Sequence, residues 1–202
     1  MPSIYQIKPA FQNLLRPLTR KLAALGVTAN QITNTALLLS VLSGLALAYW
    51  SASTKIFFLV PVVMLLRMGL NAIDGMLARE HNMKTALGAF LNELSDVISD
   101  AALYLPFALV TQINPMLVVA VVIAAIISEM AGVVAVQVGA SRRYDGPMGK
   151  SDRAFVFGAI ALILALGIPF GVWLNILLSG VLLLLVLTTI NRVRFALKEV
   201  TP

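Results

Sequence analysis

The chain has 202 residues, 59% of them apolar and only 12% charged, with a mean hydropathy of +0.92. A water-soluble domain is nearer half apolar and a quarter charged, so that class is excluded. The formal charge of +6 does not point to nucleic acid, because Lys and Arg gather in short breaks between apolar runs, and the absence of cysteine excludes disulfides and thiolate chemistry.

The first thirty residues hold Pro9 and Pro17 and the basic residues Lys8, Arg16, Arg20 and Lys21. No cleavable signal peptide is expected from that pattern. Ile4, Ile7, Phe11, Leu14, Leu18, Leu22 and Leu25 fall at helical spacing, with the basic residues on the other side. This predicts an amphipathic helix within residues 1–27, lying in the membrane interface. Six apolar spans follow, near 32–51, 56–80, 86–110, 116–140, 154–169 and 171–192. They are separated at "SASTK", "REHNMK", "QINP", "SRRYDGPMGKSDR" and "GIPFG". Each is about the length that crosses roughly 30 Å of hydrocarbon, the fifth being the shortest. Open strands cannot face lipid, so the expected fold is all-α: one domain over 1–202, with a six-helix bundle at 32–192.

Under six spans, the basic residues sort to one side: those of the first helix, then Arg79, Lys84, Arg142, Arg143, Lys150, Arg153, Arg192, Arg194 and Lys198. Only Lys55 falls opposite, and Arg67 lies within the second span. Both termini are therefore expected in the cytoplasm.

The acidic residues are more informative. Asp74, Glu80, Glu93, Asp96 and Asp100 crowd onto the second and third spans. Arg67, Asn71, Asp74 and Ala78 share one helix face; Gly88, Asn92, Asp96 and Asp100 share another. Ionisable groups at membrane depth usually face a polar cavity. Two such stripes joined by a short loop form the walls of one site. Asp and Asn oxygens suit Mg²⁺, Mn²⁺ or Ca²⁺ rather than zinc. A metal held there can bind a diphosphate, with Arg79 pairing a phosphate oxygen. Small residues and amides that merely glue helices explain a single Asn or Gly, but not three Asp together.

The stretch "NAIDGMLAREHNMKTALGAFLNELSD" resembles the signature of the CDP-alcohol phosphotransferases, D-x2-D-G-x2-A-R-x8-G-x3-D-x3-D. Asp74, Gly75, Ala78, Arg79, Gly88 and Asp96 match in register. The "TANQIT" segment before the first span is similar to the family's usual Pro-Asn-x-Ile-Thr, and the likeness is greatest to a bacterial inner-membrane branch. The resemblance implies a six-helix enzyme of the inner membrane, usually a homodimer, with its site facing the cytoplasm. It implies transfer of a substituted phosphate from a CDP-linked donor, commonly CDP-diacylglycerol, to an alcohol or alcohol phosphate, with release of CMP. Carried over, Asp96 is the catalytic base. Asp74, Asp96, Asn71 and Asn92 would hold one or two Mg²⁺ or Mn²⁺ ions. Asn71, Asp74, Gly75, Ala78, Arg79 and Gly88 would line the nucleotide pocket.

The chain departs from the signature at Asn71 and Asn92, where the family has Asp. Amide oxygens can ligate a metal but bring no charge. A catalytically silent relative that binds nucleotide or lipid is therefore a second reading. A transporter is a weaker third, since the charges cluster near one membrane face rather than at the midplane. In the loop "SRRYDGPMGKSDR", Arg142, Arg143, Lys150 and Arg153 are candidates for an acceptor phosphate; a plain positive-inside loop on anionic lipid is the alternative. The "GPMGKS" piece is no P-loop, because Tyr144 stands where the first Gly belongs and no strand precedes it.

Overall fold

The computed structural model describes residues 4–111, 113–168 and 171–201. Regular structure among them is helical throughout: α1 Ile4–Ala24, α2 Ala29–Tyr49, α3 Leu59–Glu80, α4 Ala86–Tyr104, α5 Pro115–Gln137, α6 Lys150–Ala165 and α7 Trp173–Val200. Short 3₁₀ turns occupy Thr54–Phe58 and Leu105–Leu109. Among the described residues, four segments are long and apolar enough to cross a membrane: Ala29–Tyr49, Thr54–Glu80, Pro115–Gln137 and Trp173–Val200. The other two expected spans stand apart for physical reasons. α4 carries Glu93, Asp96 and Asp100, charges that are costly in hydrocarbon. α6 has 16 residues, about 24 Å of helix against about 30 Å of bilayer core. Pro169 and Phe170, at the expected break after it, lie outside the described residues.

Local chemistry sets the helix ends. α1 stops at Gly26, whose φ of +77° is the left-handed conformation glycine adopts without a Cβ clash. The backbone bond from Val27 N to Leu22 O (3.0 Å) closes that turn. α2 opens with a reciprocal cap. Gln31 N donates to Thr28 Oγ1 (3.3 Å) and Thr28 N to Gln31 Oε1 (2.9 Å). Thr85 Oγ1 accepts from Gly88 N (2.9 Å) at the start of α4. Asn114 caps α5 by accepting from Met116 N at 3.0 Å, with Pro115 beside it at a position that needs no N–H.

The chain packs as two units, Met1–Leu42 with Val62–Ser99, and Ser43–Pro61 with Asp100–Pro202. In the first, Ala29, Ile32, Ile73 and Leu77 form the core, and Leu15, Leu22 and Ala23 of α1 pack against it. Leu14, Leu18 and Leu25 of the same segment remain exposed. Arg16 fastens α1 to the end of α3 through two 3.1 Å contacts with the Glu80 carboxylate. In the second unit, α5 packs on α7, whose Leu174, Leu178, Val181 and Leu185 are buried at helical spacing. An aromatic knot fills the interior: Tyr104 stacks on Phe157 at 4.0 Å, and Phe107 meets Phe57 and Phe157 edge-on at 5.0 and 5.2 Å.

Candidate active site

In the first unit, Asp74 on α3 and Asp96 on α4 have different surroundings. Asp74 is buried, at 7% exposure. Its Oδ2 lies 2.8 Å from Thr33 Oγ1, a hydroxyl that also reaches Ala29 O at 3.1 Å. Asp96 is half-buried. Its Oδ1 accepts from Asn71 Nδ2 at 3.3 Å and stands 3.8 Å from Arg67 Nη2. Asn71, at a signature Asp position, therefore serves as a hydrogen-bond donor to the other carboxylate. Asn92 stands exposed one turn before Asp96 on α4.

Two glycines leave room for polar side chains. The Arg79 guanidinium lies over Gly75, where a Cβ would sit 2.8 Å from Nη2. Asn30 Oδ1 lies over Gly88, 2.7 Å from where its Cβ would be, and Asn30 Nδ2 donates to Thr85 Oγ1 at 3.4 Å. Ala78 packs against the α2–α3 core cluster. Asn30 and Thr33 both come from "TANQIT", so that segment supplies neighbours of Asp74 and Gly88 as well as the cap that starts α2. Their signal was the motif itself, whose polar residues recur three apart on one helix face.

Asp100 continues the α4 stripe but belongs to the second unit. There it meets Arg153 Nη2 at 3.2 Å. The same Nη2 lies 3.0 Å from Glu129 Oε1, and Arg142 Nη2 lies 3.0 Å from Glu129 Oε2. Arg192 reaches both Glu129 oxygens, with Nη1 3.2 Å from Oε2 and Nη2 3.4 Å from Oε1. Of the four acceptor candidates, Arg142 and Arg153 thus converge on one carboxylate. Arg143 turns to Asp145 at 2.7 Å and Glu199 at 2.6 Å. Its hydrogen bond holds the Asp145 carboxyl below the usual range. Lys150 is half-buried at the first position of α6. Arg192 had no motif to single it out, only its place near the end of the last apolar run.

The chemistry of the donor set decides whether a divalent ion fits. Asp74 and Asp96 supply two hard carboxylates, with amide oxygens on Asn71 and Asn92. That balances one divalent ion, and a second would need charge brought by a ligand such as a diphosphate. Among the described residues, no three carboxylate, imidazole or thiolate groups gather as a ready-made cage. The residues fit a hard divalent cation whose shell the ligand helps to complete.

A family model described as CDP-alcohol phosphatidyltransferase matches residues 26–191. The chain is 49% identical over 195 residues to the inner membrane protein YnbA of Escherichia coli (strain K12), covering 96% of each chain. It is 30% identical over 104 residues to the archaetidylinositol phosphate synthase of Pyrococcus horikoshii, covering 52% of this chain and 53% of that one. Its fold is similar to the phosphatidylinositol phosphate synthase of Mycobacterium tuberculosis with CDP-DAG bound, with a TM-score of 0.76, 20% identity, and 91% and 93% of the two chains covered. The same synthase in complex with manganese and citrate matches with a TM-score of 0.74 and 20% identity, over 89% and 87% of the chains.

Proposed function

The chain belongs to the CDP-alcohol phosphatidyltransferase family, and from that premise we propose that it transfers a phosphatidyl group from CDP-diacylglycerol to an alcohol, releasing CMP, in phospholipid synthesis. The observation that supports this best is the placement of Asp74 and Arg79 on α3 and Asp96 on α4 in the family's register, with Thr33 against Asp74, Asn71 against Asp96 and the Arg79 guanidinium over Gly75. The names of the solved neighbours, with CDP-DAG and with manganese, agree with a lipid-linked nucleotide donor and a divalent metal.

Asp96 is the proposed base. It removes the proton of the acceptor hydroxyl as that oxygen bonds to the lipid-side phosphorus. The bond from that phosphorus to the bridging oxygen breaks, and CMP leaves with the electron pair. Asn71 and Arg67 orient the Asp96 carboxylate, and Thr33 orients Asp74. Asp74 and Asp96, with Asn71 and Asn92 oxygens, would hold one or two Mg²⁺ or Mn²⁺ ions. Bound there, metal would neutralise diphosphate charge, a main part of phosphoryl-transfer catalysis. Asn71, Asp74, Gly75, Ala78, Arg79 and Gly88 are proposed to contact the nucleotide. Arg142, Arg143, Lys150 and Arg153 are proposed to face the acceptor. We place the protein in the inner membrane as one domain and a homodimer, with six crossings, α1 in the interface, and both termini and the site on the cytoplasmic side.

The test is CMP release from CDP-diacylglycerol across a panel of alcohols and alcohol phosphates, with and without Mg²⁺ or Mn²⁺. Metal-dependent release with at least one acceptor is expected. The amides at Asn71 and Asn92 favour a second reading, a silent relative that binds nucleotide or lipid. Metal-dependent CDP binding in calorimetry, without turnover on any acceptor, would select it. No metal-dependent binding at all would dismiss both.

A further inference from the structure

An arginine cluster that holds an anionic ligand places several guanidinium donors around its oxygens. Arg142, Arg153 and Arg192 are arranged in that way, but the anion between them is the chain's own Glu129. The Glu129 and Asp100 carboxylates already offset much of the positive charge of these arginines. Arg153 and Arg192 are each 1% exposed, so bulk water does little to screen what enters. A phosphate monoester brings a charge of about −1.5 to −2. It would stand against the Glu129 carboxylate that these arginines already hold. Glu129 has no inexpensive way aside: Arg142, Arg153 and Arg192 all hold its carboxylate, and pulling a partly buried carboxylate off such partners is strongly unfavourable. Arg153 meanwhile keeps Nε and Nη1 buried without a hydrogen-bond partner among the described residues. A neutral hydroxyl oxygen can accept from such donors without adding charge.

We propose that Glu129 fills the anion seat of this cluster, so that the acceptor is an alcohol carrying no phosphate monoester, and that Glu129 sets this specificity. The inference rests on the reading that these arginines face the acceptor. Glu129→Gln keeps the shape of the side chain and removes its charge, which opens the seat.

The purified full chain in detergent separates the outcomes. Thermal stability is followed against glycerol and glycerol 3-phosphate, with sodium chloride matching ionic strength. Glycerol 3-phosphate is expected to leave the wild type unmoved and to stabilise Glu129→Gln, with affinity for it raised about tenfold or more, since like-charge juxtaposition is worth several kcal/mol. A folded Glu129→Gln that gains no such affinity overturns the proposal. Should that variant not fold, the wild type decides alone. In CMP release from CDP-diacylglycerol with the pairs glycerol and glycerol 3-phosphate, or inositol and inositol phosphate, kcat/KM should favour the free alcohol by about tenfold or more. Preference for the phosphorylated member overturns the proposal. No release with any acceptor counts against the transferase reading instead, and wild-type binding of either phosphate ester then decides the inference.

Discussion

Asp96 and Asp74 are held by different means. A neutral hydroxyl contacts buried Asp74, while an amide donor and a guanidinium contact the more open Asp96. A base has to be reachable by a substrate proton, and the half-buried carboxylate meets that need better than the enclosed one. Asp96→Asn is expected to cut turnover by about 100- to 10,000-fold, the usual worth of a general base. Its melting temperature should stay near wild type, and unchanged CMP release would remove Asp96 from the role. Asn71 and Asn92 are expected to tune metal affinity. Asn71→Asp with Asn92→Asp adds two charges where the family has them, so Mn²⁺ should bind about tenfold tighter or more, about 1.4 kcal/mol, by titration calorimetry. Equal affinity in the double variant and the wild type would show that neither position is a ligand.

At the scale of elements, the loop between α5 and α6 depends on a missing side chain. A Cβ on Gly132 would run into Arg142 Nη1 and lie 2.5 Å from Arg143 O, while Gly132 O accepts from Arg143 N at 3.2 Å. Gly132→Ala should therefore lift the loop, weaken the Arg142–Glu129 pair and lower stability by about 1–3 kcal/mol, the usual range for overpacking. A wild-type denaturation midpoint would contradict this. The helices themselves were legible in the sequence, because apolar runs broken by Pro, Gly and charge are a strong periodic signal. The places of Asp74, Gly75 and Arg79 on α3 and of Gly88 and Asp96 on α4 were legible too, since a helix–loop–helix of 26 residues keeps them in one local register. The partner of Glu129 was not. Arg192 lies 63 positions away, and nothing local fixes which side chains of two distant helices meet. The place of Asn71 on α3 was given by spacing, but the direction of its amide, toward Asp96, depends on packing against α4.

For the whole molecule, the six proposed crossings of the bilayer predict which loops share a face. α4 and α6 are the two helices that charge and length set apart. The chain has no native cysteine, so single-cysteine variants report sidedness without background. Lys84→Cys before α4 and Thr111→Cys after it should label from opposite faces with a membrane-impermeant maleimide. Thr201→Cys should label from the same face as Lys84→Cys. Labelling of positions 84 and 111 from one face would mean that α4 does not cross.

The amide of Asn71 against Asp96 also bears on the protein at rest. Four carboxylates crowded on two helices repel one another whenever no cation sits between them, and such a site leans on its metal to stay closed. Here one of those repulsions is replaced by a hydrogen bond. On the proposed reading, the helix pair is expected to hold its packing without a cation. Chelation with EDTA should accordingly leave the melting temperature of the resting protein within about 1 °C of its untreated value, since a surface-scale change of about 0.5 kcal/mol or less moves it little. A fall of many degrees would mean instead that the fold is built around a resident ion.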